Sequence, residues 1–365
     1  MIFVLSLVFS CMISMSFSYF IKNRKIYLSI IAFSYSFAFF FMCVFFFVIK
    51  FNGENILIFP DEGLYVNDYT SVLPFSVYVR TVNELLGQDA IRLINIFIFS
   101  TSLALLSSDV MGRVESETHK IYIAFFSLFG VIVGGYWSYF ILKEAFSIAA
   151  ISFLMVATLR KSWLFLTNSL IFLALARPDL FTLYAGIIFI FYIRDKNRSL
   201  YKLIVVGAIL STIWFMNSDL SYRIKIFTLS KRFGELNVTY DSTTLAVSQY
   251  SFIPFILSDA FHQAIITNLK SSFNPFHEIN ALTIVQRTFN VLAIILFIKC
   301  FFSSFLKDKV YTFIFIVIVG LICTHSVYRY MNTLLIPFSI YSIYLIDLKK
   351  RRAKIEKNIG HNTRL

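Results

Sequence analysis

Long apolar runs interrupted by short polar clusters set the grain of this chain. Eleven such runs fall near 2–21, 27–49, 91–107, 121–141, 145–159, 163–176, 180–193, 201–217, 288–306, 310–326 and 331–347. They approach the ~20 residues with which an α-helix crosses the hydrocarbon core of a bilayer, whereas a membrane β-barrel would show alternating strands of ~10 residues. The pattern predicts an all-α fold, a polytopic transmembrane helical bundle of about eleven spans formed as a single integral membrane domain over 1–365. The first run, Ile2 to Phe20, has its basic residues after it, at Lys22, Arg24 and Lys25, and is expected to be a retained span rather than a cleaved signal.

Composition excludes a soluble globule. With 58% hydrophobic and 15% charged residues and a mean hydropathy of +0.76, the chain has too few polar side chains to coat a water-facing surface. The formal net charge of +13 does not indicate a nucleic-acid partner, because the basic residues sit in short clusters between apolar runs. Cys11, Cys43, Cys300 and Cys323 lie in or beside apolar runs without a CxxC pair, so neither a disulfide nor a zinc site is expected.

Placing the N-terminus outside puts Lys22–Lys25, Arg160–Lys161, Arg194–Lys202, Lys307–Lys309 and the basic tail 348–365 together in the cytoplasm. The segment Ser107–Lys120 mixes acids with bases and does not bias the choice. Two long polar segments then face outward. Residues 50–90 form a first outer loop with Glu54, Asp61, Glu62, Asp68, Glu84 and Asp89. Residues 218–287 form a second with Arg223, Lys225, Lys231, Arg232, His262, Lys270, His277 and Arg287. Loops of such length usually carry function. The apolar stretch Tyr250–Ile266 reads as a helix on or re-entering the membrane surface, or as an extra pair of short crossings.

Four charged clusters fall at the outer ends of spans: PDEGLYVNDY at 60–69, LKEAF at 142–146, ARPDLF at 176–181 and YRYMN at 328–332. Singly each has a plain structural reading. Lys143–Glu144 fits a tight turn, Arg177 with Asp179 a local pair around a proline, and Arg329 an interfacial anchor between Tyr328 and Tyr330. Together, on one side, they predict a wet cavity, because an ionisable group at membrane depth costs several kcal/mol unless it is paired or solvated.

The residue types suit glycosyl transfer from a lipid-linked donor, whose apolar tail lies in the bilayer and whose diphosphate rests at the interface. Lys143, Arg177 and Arg329 would bind the diphosphate, arginine as a planar fork and lysine as a point charge. A carboxylate or neutral histidine would take the proton of the attacking hydroxyl, which makes Asp61, Glu62, Glu144 and His277 the catalytic candidates. Asp179 and Tyr330 are their structural support.

The layout resembles that of polytopic enzymes of bacterial surface-polysaccharide assembly, the O-antigen polymerases and GT-C-type glycosyltransferases. The resemblance rests on FPDEGLYVNDY at 59–69, IRLINIF at 91–97, LKEAF, ARPDLF and YRYMNTLLIPFSIY at 328–341. It implies a GT-C-like bundle in the bacterial inner membrane, a polyprenyl-diphosphate-linked oligosaccharide as substrate, and a chain-length regulator as a partner. Metal-dependent GT-C enzymes carry their acidic motif after the first span, whereas Asp61 and Glu62 follow the second run here. That departure weakens a metal-binding role for Asp61 and Glu62. The length, the second large outer loop and the paucity of fixed motifs resemble the polymerases, in which outer-loop Arg and His rather than a metal are expected to act, and no cofactor is expected; a divalent metal belongs to the GT-C alternative. A single-sugar transferase, a flippase or transporter, an acyltransferase using His325 and a structural subunit are the competing readings.

Overall fold

The computed structural model describes residues 2–52, 60–67, 71–216, 259–277, 280–323 and 328–362. Among them every regular element is a helix. In chain order these are α1 (Ile2–Ser16, extended by a 3-10 turn over Phe17–Phe20), α2 (Arg24–Asn52), α3 (Pro60–Asn67), α4 (Pro74–Leu86), α5 (Gln88–Met111), α6 (Glu117–Tyr139) and α7 (Glu144–Arg160). They continue with α8 (Trp163–Ala176), α9 (Pro178–Lys196), α10 (Arg198–Met216), α11 (Asp259–Phe273), α12 (Ala281–Ser304), α13 (Lys309–Cys323) and α14 (Tyr328–Asn362). Within the described residues each of the eleven apolar runs coincides with a helix. Among the described residues six stretches are long and apolar enough to cross a membrane: Phe3–Phe20, Arg24–Val44, Gln88–Met111, Glu117–Tyr139, Ala281–Ser304 and Tyr328–Glu356. Helices α8 and α13 are apolar but shorter. The chain is a helical membrane protein.

The chain divides into two compact units. The first comprises 1–181, 289–310 and 332–365, the second 182–288 and 311–331.

In the first unit α5 is the central helix, packed against α1, α2, α4, α6 and α7. Its sequence is rich in serine, a poor choice for a buried helix unless each hydroxyl is satisfied within it. The Oγ atoms of Ser100 and Ser107 donate to the carbonyls of Ile96 at 2.7 Å and Leu103 at 2.8 Å, and Ser127 on α6 donates to Ser107 at 2.8 Å. Close approach of α6 to α5 and α14 comes from Gly130 and Gly134, one turn apart on α6. A Cβ at Gly134 would lie 2.6 Å from the ring of Phe99, and one at Gly130 would lie 3.0 Å from Ile336. Small residues at this spacing let membrane helices pack backbone to side chain, where dispersion replaces the missing hydrophobic drive.

One end of this unit gathers its basic clusters. Asn23, just before α2, donates to the Ser108 carbonyl of α5 at 2.9 Å. Arg160, closing α7, forms a fork to Asp109, with Nη2 to Oδ1 at 2.6 Å. Arg351 on α14 reaches Glu115 at 3.1 Å and Asp347 at 3.1 Å, while His119 and Asp347 meet at 2.8 Å in the interior. Asp109 and Glu115 of 107–120 therefore serve as partners for bases of α7 and α14, while Glu117 pairs with Lys120 on its own helix at 2.6 Å. From Asp347 to Asn362 the chain continues α14 by about four turns.

In the second unit the ring of Tyr184 on α9 packs edge-on against Phe313 of α13, with centroids 5.0 Å apart. Asn268 on α11 donates to the Ile322 carbonyl at 2.7 Å. The run Tyr250–Ile266 enters the described residues only from Asp259, as α11. Arg223, Lys225, Lys231, Arg232 and His325 lie outside them.

Candidate functional site

At the opposite end of the first unit, α6 and α7 are joined by a turn that is buried rather than exposed. Trp137, Tyr139, Phe140, Ile141, Leu142 and Glu144 are all withdrawn from solvent, Ile141 and Leu142 completely. A buried turn must find partners for its backbone, since an orphaned amide in an apolar setting costs about 1–3 kcal/mol. The sequence supplies them from two distant helices. Glu62 of α3 accepts the Ile141 N–H at 2.9 Å through Oε1. Asn95 of α5 donates to the Phe140 carbonyl at 2.8 Å.

The polar centre has further members. Arg92, one turn before Asn95 on the same face of α5, is 2% exposed and pairs with exposed Asp89 at 3.3 Å. Glu144 opens α7 and is 1% exposed. Its place in the first turn sets its carboxylate at the positive end of the helix dipole. Lys143 precedes it, half-buried.

The α7–α8 hairpin brings in Arg177. Phe153 stacks on Phe165, Ser169 donates to the Ala150 carbonyl at 2.7 Å, and Phe146 meets Phe172 at 5.4 Å. Each step back along α7 is matched by a step forward along α8, so the same antiparallel register carries Arg177, the residue closing α8, to the level of Lys143 and Glu144. Helices α3 and α4 of the first outer loop pack over this end: Tyr65 meets Phe75 at 5.0 Å, and Phe75 and Tyr78 meet Phe146 at 5.6 and 5.1 Å. The buried Tyr78 hydroxyl has no hydrogen-bond partner among the described residues. Burial pushes its phenol up to about 12, so it can act there as a donor and not as a base.

The structure thus brings Glu62, Lys143, Glu144 and Arg177 to one end of the first unit. Asp61, half-buried, stands beside Glu62 in the first turn of α3, and Asp179 is exposed in the first turn of α9. Arg329, Tyr330 and His277 belong to the second unit. There Arg329 is half-buried with its guanidinium 5.3 Å from the Tyr330 ring centre, and His277 is exposed just beyond α11. Among the described residues of that unit the buried cation is Arg287, fully enclosed, whose Nε donates to the Ser271 carbonyl at 2.8 Å and whose guanidinium lies 5.0 Å from the Tyr328 ring centre.

Arg92, Asn95 and Arg287 carry no predicted role in the sequence reading. The signal for the first two was present: a cation and an amide three residues apart share a helix face, and both stand in the first two turns of an apolar span. Among the described residues no group of three or more His, Cys, Asp or Glu side chains is close enough to hold a metal ion. No family model, no curated protein and no solved structure matches this chain, which leaves the charges around the α6–α7 turn as the physical basis for a reading of its chemistry.

Proposed function

We propose that the chain is a membrane glycosyltransferase of bacterial surface-polysaccharide assembly, specifically an O-antigen polymerase acting on polyprenyl-diphosphate-linked sugars at the outer face of the inner membrane. The observation that supports this reading is the hairpin register that sets Arg177 level with Lys143 and the buried Glu144. A carboxylate and two cations at one end of a membrane bundle are what the reaction asks for. The bond between the anomeric carbon and the diphosphate oxygen breaks as the acceptor hydroxyl oxygen bonds to that carbon. Glu144 takes the hydroxyl proton, and Lys143 and Arg177 meet the charge left on the diphosphate. Sequestration from bulk water strengthens each of these interactions.

Glu62 has a different part in this scheme. One of its oxygens is committed to the Ile141 amide, so it positions the turn from which Lys143 and Glu144 project. The test is turnover of a lipid-linked oligosaccharide by the purified protein in lipid nanodiscs. Glu144→Gln removes the base while keeping the shape and is expected to lower turnover by about 10²–10⁴-fold. Wild-type turnover from that variant would remove Glu144 from the mechanism and with it this reading.

A further inference from the structure

The basic end of the first unit holds a cavity of about 390 Å³ that the proposed chemistry does not use. It opens where α12 ends and α14 runs on past it, and its walls include Ser303, Ser304, Lys307, Lys349 and Arg352, with Leu345 at its base. Leu345, Lys349, Arg352 and Glu356 recur at three- and four-residue intervals, so they form one face of α14. Lys307 comes from the turn after α12, where Leu306 adopts a left-handed conformation with φ 60°. A branched residue held in that region marks a turn whose direction is imposed by its surroundings.

Two acids also line the cavity, Asp308 and Glu356. Asp308 already accepts the Tyr341 hydroxyl at 2.7 Å. Among the described residues Lys307, Lys349 and Arg352 have no carboxylate within ion-pair distance. Three cations that converge on a polar cavity without pairing call for an anion, and a guanidinium fork with two ammonium groups is the donor set of a phosphate.

The surroundings select the source of that phosphate. The cavity sits at the end of two helices that are long and apolar enough to cross a membrane, α12 and α14. Phe302, Leu306 and Ile355, sequence neighbours of its lining residues, are 90%, 53% and 58% exposed, apolar surface that a soluble phosphate does not need and acyl chains would cover. We propose that this cavity binds the phosphate headgroup of an anionic phospholipid, with Lys307, Lys349 and Arg352 on the phosphate and Phe302, Leu306 and Ile355 against its acyl chains.

The test uses the purified full chain in detergent, titrated with phosphatidylglycerol, phosphatidylcholine or inorganic phosphate. Thermal unfolding and lipid retention in native mass spectra are the two readouts. Phosphatidylglycerol is expected to raise the unfolding temperature and to be retained, and phosphatidylcholine to do neither. The triple variant Lys307→Gln, Lys349→Gln, Arg352→Gln is expected to weaken the phosphatidylglycerol response at least tenfold. A charge-matched triple variant at Lys22, Lys25 and Lys120 is expected to keep it. Equal loss in both triples, or equal retention of phosphatidylcholine by the wild-type protein, would mean diffuse attraction and overturn the site. Inorganic phosphate stabilising as well as the lipid would overturn the headgroup assignment. Because the retention contrast is read on the wild-type chain, the proposal stays exposed to refutation even if the triple variant folds poorly.

Discussion

Glu62 and Glu144 are both buried carboxylates beside one turn, and the contacts around them divide their duties. Glu62→Gln keeps an oxygen that accepts the Ile141 amide, so near-normal activity and stability are expected. Glu62→Ala strands that amide in an apolar setting and is expected to cost about 1–3 kcal/mol of stability, read as a lower unfolding temperature in detergent. Glu144 should show the reverse balance, with turnover lost and folding kept in the Gln variant. Arg177 tests the diphosphate role at the α6–α7 turn. Alanine there is expected to cost on the order of 10²–10³ in turnover, with lysine recovering only part because it lacks the fork. Full-length polymer from the alanine variant at normal membrane levels, in a complemented deletion strain, would remove Arg177 from the site. At this scale the sequence was only partly legible. Asp61 and Glu62 are neighbours of one type, and which of them turns inward depends on how α3 seats against the α6–α7 turn, a contact across 79 residues. Arg287 read as a loop charge because nothing local announces that Ser271 and Tyr328 enclose it.

Helices were the legible level. Apolar runs long enough to dissolve in lipid have only one way to satisfy their backbone, and each such run became a helix. What escaped the pattern was helix without long apolar runs. α4 starts at Pro74 in its first turn and buries Phe75, Ser76 and Val79 on one face, so it is amphipathic rather than apolar. The stretch beyond Asp347 is Lys-, Arg-, Ala- and Glu-rich, good helix formers that continue α14, and Arg351 pairs with Asp347 one turn back. The end of hydrophobicity was not the end of the helix. Packing between helices yields its own expectation. Gly134→Ala drives a methyl into Phe99 and should destabilise by about 1–3 kcal/mol, whereas Gly186→Ala on α9 meets nothing within 4 Å and should not. The comparison is unfolding temperature at matched detergent; equal melting of the two variants would show that the α5–α6 contact gives way freely.

For the molecule as a whole, orientation and metal dependence are the decisive measurements. Reporters fused after Asp68, Asp219 and Asn332 are expected to read external, and those after Arg24, Lys196 and Lys350 cytoplasmic. A cytoplasmic signal at Asp68 would place the α6–α7 turn on the wrong side for a lipid-linked donor presented outside. Turnover is expected to survive chelation of divalent cations; strict dependence on added metal would move the chain to the metal-dependent GT-C class, with Asp61 and Glu62 as the ligands to test. The ion pairs at the basic end also bear on how the protein is made. His119 and Asp347 are 228 residues apart, which at ~5–20 residues per second is about 10–45 s of synthesis. For that interval α6 waits in the bilayer beside α5 with the part of its glycine face that Ile336 covers still open, before α14 has left the ribosome. Lipid must stand in as a temporary neighbour, and a chain released early would display that unfilled face to whatever membrane protease surveys unfinished products.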